Sequence, residues 1–167
     1  MSLSVPRLRI GSTEIIALAD GEGPFFSPRA EAFPEATAAQ WAEVDRYDPG
    51  AVNALDALNP QLRETLTDPL EAAGRLRLLD GDTPLRAGRT VATPGHQSVL
   101  VADGRELALV TGDLLVHALQ LLHPELAYSH EIDPEAARHS RERMLGRDTA
   151  TTLHLATPHL TEPFISA

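Results

Sequence analysis

Cysteine is absent from the 167 residues, which excludes disulfide staples, a thiolate nucleophile and any cysteine zinc site. A metal, if one is bound, must be held by His, Asp or Glu. Lysine is absent too: all 14 basic residues are Arg, against 24 acidic ones, for a formal net charge of −10. Such a surface repels phosphate backbones, so no nucleic acid partner is expected. A phosphate loop of the Gly-x-x-x-x-Gly-Lys type is impossible. Aromatics are scarce at 4%, with Trp41 the one tryptophan, so the core must be aliphatic. No apolar window reaches the roughly 18 residues of a membrane helix, and residues 1–7 lack a charged segment followed by an apolar stretch. A soluble, cytoplasmic chain with no membrane partner is expected.

Apolar residues make up 43% and charged residues 23%, the balance of a globular chain, and the length suits a single domain over residues 1–167. The first strands are predicted at Leu8 to Ile10 and Glu14 to Ala19, turned by Gly11-Ser12. A loop over residues 21–28 carries Phe25 and Phe26. A helix is predicted over residues 34–47, opened by Pro34-Glu35 and closed by Asp48-Pro49-Gly50. Residues 53–77 read as a broken amphipathic helix, with Leu55, Leu58, Leu62, Leu66 and Leu70 at helical spacing.

The period then changes to that of strands at 76–79, 90–92, 98–101 and 107–111, linked by Gly-containing turns. A short apolar helix is predicted over 114–122, stopped before Pro124. Asp133-Pro134-Glu135 opens a helix expected to run to Leu145. A last strand covers 151–156 and a loop covers 157–164. The order implies a layered α/β or α+β fold around one sheet.

Three residues place a metal-competent side chain on a turn beside a predicted strand: His96 in Thr93-Pro94-Gly95-His96, Asp113 in Thr111-Gly112-Asp113, and His159 in Pro158-His159-Leu160. Imidazole and carboxylate are good ligands for zinc or iron, and a bound cation lowers the pKa of a coordinated water to about 7. The plainer reading stands beside this one: an isolated His in a turn is commonly solvated or hydrogen-bonded, and an Asp before a helix is commonly a cap. His-x-His, Glu-x-x-His and Gly-x-Ser-x-Gly are all absent. His117 is expected on a helix face, His123 in a turn, and His139 mid-helix among arginines; His130 and His154 have no evident role.

Taken in order, Asp20-Gly21, Thr93-Pro94-Gly95-His96, Thr111-Gly112-Asp113, the Asp133-Pro134-Glu135 helix start and Pro158-His159-Leu160 resemble the metallo-β-lactamase superfamily, in its lactonase-like and organophosphate-hydrolase-like branches. The resemblance is specific over residues 76–164 and looser over the N-terminal arm. It implies a four-layer αββα sandwich with two metal ions at one edge of the sheets. It makes His96 a ligand of the first metal, Asp113 the carboxylate bridging both, and His159 a ligand of the second. The metal implied is zinc, with iron, manganese and cobalt open to the same donors. The activity implied is attack of a metal-held hydroxide on a lactone, ester or phosphotriester.

Two departures accompany the resemblance. The family's His-x-His-x-Asp-His element is missing, and the chain passes from Pro49-Gly50-Ala51-Val52 directly to the helical Asn53-Ala54-Leu55, so an internal deletion with its junction near 52–53 is inferred. The family's doubled Thr-Pro-Gly-His turn occurs once, leaving open whether His96 matches the ligand or the non-ligand histidine. The expectation is a truncated metallo-β-lactamase-like sandwich with half of the ligands and low hydrolase activity toward a small-molecule substrate. The alternative is a non-catalytic remnant or interaction module with a vestigial site. Exposed sheet edges or the N-terminal arm then favour a homodimer.

Overall fold

The computed structural model describes residues 5–17, 27–49, 69, 72–75, 81–94, 96–146 and 151–166. Among the described residues the chain is a mixed α/β structure with two sheets. Strands β1 (Arg7–Ile10) and β2 (Thr13–Ile16) form an antiparallel hairpin. Its turn needs Gly11, whose φ of +55° is left-handed and which has no room for a Cβ beside the Asp103 carboxylate.

The second sheet has six strands in sequence order: β3 (Pro84–Leu85), β4 (Gly88–Thr93), β5 (His96–Asp103), β6 (Glu106–Val110), β7 (Thr152–Ala156) and β8 (Phe164–Ser166). All neighbours are antiparallel except β6 and β7, which are parallel and so require a crossover. That crossover carries helices α3 (Ala118–Leu122) and α4 (Pro134–Leu145). Helices α1 (Arg29–Ala32) and α2 (Ala38–Tyr47) precede the sheet.

Alternation along the strands sends the two sets of side chains to opposite faces. Leu100, Leu109, Leu153 and Leu155 pack with Val91, Leu114, Leu115 and Met144 on the helical face. Val101 and Ala108, from the intervening positions, pack with Ile10 of the hairpin on the other face, joined by Leu8 and Ile15. A third cluster joins Phe33, Val44, Leu119, Leu126, Tyr128 and Leu160 around α2 and α3. Leu109, Leu115, Leu119 and Leu155 are fully buried; each contributes about 1.5–3 kcal/mol through removal of apolar surface from water.

Two helix boundaries differ from the sequence reading. The helix expected from Pro34 begins at Ala38, because Thr37 and Gln40 form a reciprocal capping box: the Thr37 hydroxyl accepts the Gln40 N–H while the Gln40 side chain accepts the Thr37 N–H. The helix expected over 114–122 is broken into a 3₁₀ turn at Gly112–Leu114, an extended link, and α3. The break is held by side chains: Gln120 accepts the Val116 N–H and His117 Nδ1 accepts the Leu119 N–H. The sequence reading left β3 and β8 unassigned. Asp20, Phe25, Phe26, the broken amphipathic stretch through residue 68, the 52–53 junction and the strand expected at 76–79 lie outside the described residues.

No helix among the described residues is long and apolar enough to cross a membrane.

Candidate metal centre

The three turns named from the sequence meet at one edge of the large sheet. In the strand register Val99 pairs with Val110, and Val110 pairs with Ala156, so these three residues form a row across β5, β6 and β7. His96, Asp113 and His159 each lie three positions from that row toward the same end of the strands: His96 is the first residue of β5 rather than part of a turn, and the other two lie past β6 and β7. The strand ends are stitched together there. Ser98 donates its hydroxyl to the Thr111 carbonyl at 2.8 Å, and the Thr111 N–H donates to the Ala156 carbonyl at 3.0 Å. Gly112 turns the chain with φ +52°, in a place where a Cβ would press on the Gln97 carbonyl.

Asp113 sits at the centre of the cluster. His96 Nε2 is 2.8 Å from its Oδ2, and His159 Nε2 is 2.9 Å from its Oδ1. The hydrogen bond from His159 is the largest influence on the Asp113 carboxyl and holds it below its usual range; partial burial opposes this, and the charges of His96 and His159 add to the lowering. An ionised carboxylate only accepts, so each ring presents an Nε2–H to it in this arrangement.

His159 is positioned from behind. The Thr157 N–H donates to the Pro163 carbonyl at 3.0 Å and the Thr157 hydroxyl to the Glu162 carbonyl at 3.3 Å, closing the loop. Leu160 is buried in the core. The buried carboxylate of Asp48, at the end of α2, accepts the Thr161 N–H at 3.2 Å. In the sequence Asp48 reads as a helix stop; its role as an anchor for a loop over a hundred residues away has no local signature.

The donor chemistry suits a divalent cation, but the arrangement does not complete a dinuclear centre. Each carboxylate oxygen faces one imidazole, so a cation at either edge meets two protein donors, where catalytic zinc takes three and structural zinc four. Among the described residues no group of three or more His, Cys, Asp or Glu side chains is arranged to hold a metal ion.

Of the other histidines, His130 lines the same cavity as His96 and Asp113, its ring 5.2 Å from that of Tyr128. His117 is buried beside Phe33 and Trp41, with ring centroids 5.8 and 5.5 Å away. It caps α3 rather than occupying a helix face. His123 Nε2 lies 3.1 Å from Glu43, tying α3 to α2. His154 Nδ1 lies 3.2 Å from the Ser166 hydroxyl, between β7 and β8.

A cavity lined by His96 and Asp113 is also lined by Glu131 and Arg141. Arg141 is almost completely buried; its guanidinium pairs with Glu131 and donates to the carbonyls of Pro124 and Leu126. Gln120 donates to the same Glu131 oxygen at 2.8 Å. Nothing local in the sequence marks this network beyond a glutamine inside an otherwise apolar helix.

Two solved structures are similar to part of this chain. One is a hydrolase, AbOPH, of the beta lactamase superfamily: 25% identity, TM-score 0.46, covering 60% of this chain and 36% of that one. The other is AidC, a dizinc quorum-quenching lactonase in complex with a product: 19% identity, TM-score 0.42, covering 65% of this chain and 45% of that one. This chain therefore spans less than half the length of either. No protein-family model and no curated protein matches the sequence.

Proposed function

We propose that this chain is a metallo-β-lactamase-type hydrolase core that keeps one half of a dinuclear site, His96, Asp113 and His159, and hydrolyses lactones, esters or phosphotriesters at low rate. One observation supports the reading above others: two imidazoles far apart in sequence converge on opposite oxygens of one carboxylate. When bound, a divalent cation would supply the Lewis acidity for such hydrolysis. The protein's part is to hold Asp113 ionised between two imidazoles at the mouth of a cavity. The 52–53 junction, where the missing ligand segment would lie, belongs to the same proposal.

Metal content and turnover test it together. The expected result is at most one zinc per chain after purification, held more weakly than about micromolar because four-donor sites are what reach higher affinity. Turnover of a lactone and of a phosphotriester should be slow and zinc-dependent. Asp113→Ala should remove both the uptake and the turnover. Two tightly held metals per chain would overturn the half-site, and zinc uptake unchanged in both Asp113→Ala and His159→Ala would reject the ligands. No metal with no turnover would favour a non-catalytic remnant instead.

A further inference from the structure

Each side of the Asp113 carboxylate offers a cation two donors from one chain, an imidazole nitrogen and an oxygen, short of the four that fill a structural zinc site. The two sides are not equivalent. The His159 side chain is 28% exposed, on a loop pinned by Asp48, whereas His96 is 52% exposed and Asp113 38%. The open pair is therefore His96 with Asp113. His130 lines the neighbouring cavity, yet no third donor among the described residues joins this pair in a metal-holding group.

The spacing of the pair is close to what zinc requires. His96 Nε2 and Asp113 Oδ2 stand 2.8 Å apart. With bonds of about 2.0–2.2 Å, two ligands of a tetrahedral zinc are about 3.4 Å from each other, so the pair has to part by roughly half an ångström. Two further protein donors must come from outside the chain. A second copy meeting the first across a two-fold axis brings the same two, because such an interface is self-complementary. That contact sets one Asp113 carboxylate against another, between chains that each carry a formal charge of −10, so the copies repel there until a divalent cation stands between them.

We propose that zinc joins two copies of this chain through His96 and Asp113 of each, with His159 as the positioning residue that steadies the carboxylate through its other oxygen. The site is complete only in the pair. A zinc with four protein donors keeps no position for water, so the joined form is the inactive form. That last consequence rests on the hydrolase reading above; the joining itself rests on donor count, spacing and exposure.

Sedimentation velocity tests it on the full chain, stripped of metal with a chelator and then titrated with zinc. The chain should be monomeric without zinc and dimeric with it, the change saturating at one zinc per two chains and reversing when chelator is restored. Magnesium should leave the monomer, since it takes oxygen ligands in an octahedron. His96→Ala should weaken the zinc-dependent association at least about tenfold, and His159→Ala about tenfold, the low end for loss of a hydrogen-bond partner behind a metal ligand. His139→Ala, at an exposed histidine of α4 outside the cluster, should leave it unchanged.

A dimer formed without zinc, an equal response to magnesium, saturation at one zinc per chain with no dimer, or undiminished association in His96→Ala would each overturn the proposal. Turnover per chain undiminished in the dimer would overturn the four-donor site. The hydrolase reading is scored separately, by turnover at chain concentrations too low for the dimer. Zinc-dependent dimerisation with no such turnover would leave the bridge standing and reject the hydrolase. Zinc-dependent turnover by a chain that stays monomeric throughout would do the reverse.

Discussion

Arg141→Ala is expected to lower stability by about 3–5 kcal/mol, the range for breaking a buried ion pair from one side. The Arg141 side chain is 1% exposed and that of Glu131 12%, so removing Arg141 strips a largely buried carboxylate of its cation. One oxygen of that carboxylate, Oε2, already has no hydrogen-bond partner among the described residues. Arg141 also satisfies the Pro124 and Leu126 carbonyls between α3 and α4, so the crossover loosens as well. Arg141→Lys restores little, because an ammonium cannot span the carboxylate and two carbonyls in one plane. The double variant Arg141→Met with Glu131→Leu should recover most of the loss, since neither charge is then stranded. Urea denaturation at neutral pH measures all three. A single-variant loss below about 1 kcal/mol, or a double variant no better than the single, would contradict the assignment.

The second large effect is loss of stability in mild acid, arising from His117. Burial is the main cause of its lowered pKa, the Arg29 charge adds to it, and together they bring it from 6.5 to about 4. Its Nδ1 accepts the Leu119 N–H, a role only the neutral ring fills. Above pH 6.5 the residue is neutral in both the folded and unfolded chain, and its contribution is fully present. As pH falls below 6.5 the unfolded chain takes up a proton that the folded one refuses, and stability declines until the folded pKa near 4 is reached. At 1.36 kcal/mol per pH unit the total is about 3 kcal/mol. Carboxyls with lowered pKa, such as Asp45 and Asp113, act at still lower pH. His117→Asn keeps a capping group and should flatten the profile from pH 6.5 to 4.5. A flat profile in the unaltered chain would refute the account.

These two groups also mark where sequence reading stops. The Thr-Pro-Gly-His, Thr-Gly-Asp and Pro-His-Leu turns are legible because glycine and proline punctuate strands locally, and the structure brings their three side chains to one edge. The layered α/β class follows from the same turns. The hairpin and α4 are legible for similar reasons: Gly11 permits the turn, and Asp133 caps the helix by accepting the Ala136 N–H. His117, Gln120 and Arg141 are a different case. Their roles depend on carbonyls, rings and carboxylates brought close only by the crossover, and neither spacing nor propensity records that. The missed strand β8 is of this kind too. It exists because it pairs with β7, while its own three residues say little.

The single parallel pairing in the sheet sets an order of assembly. Strands β4, β5 and β6 are joined by tight reversals and can zip in microseconds from neighbour to neighbour, which places His96 and Asp113 on a preformed edge. β7 must wait until the excursion from Val110 to Thr152 has closed, a slower and entropically costlier event. His159 hangs beyond β7 and therefore arrives last, so the meander alone would carry two of the three groups and never the full trio.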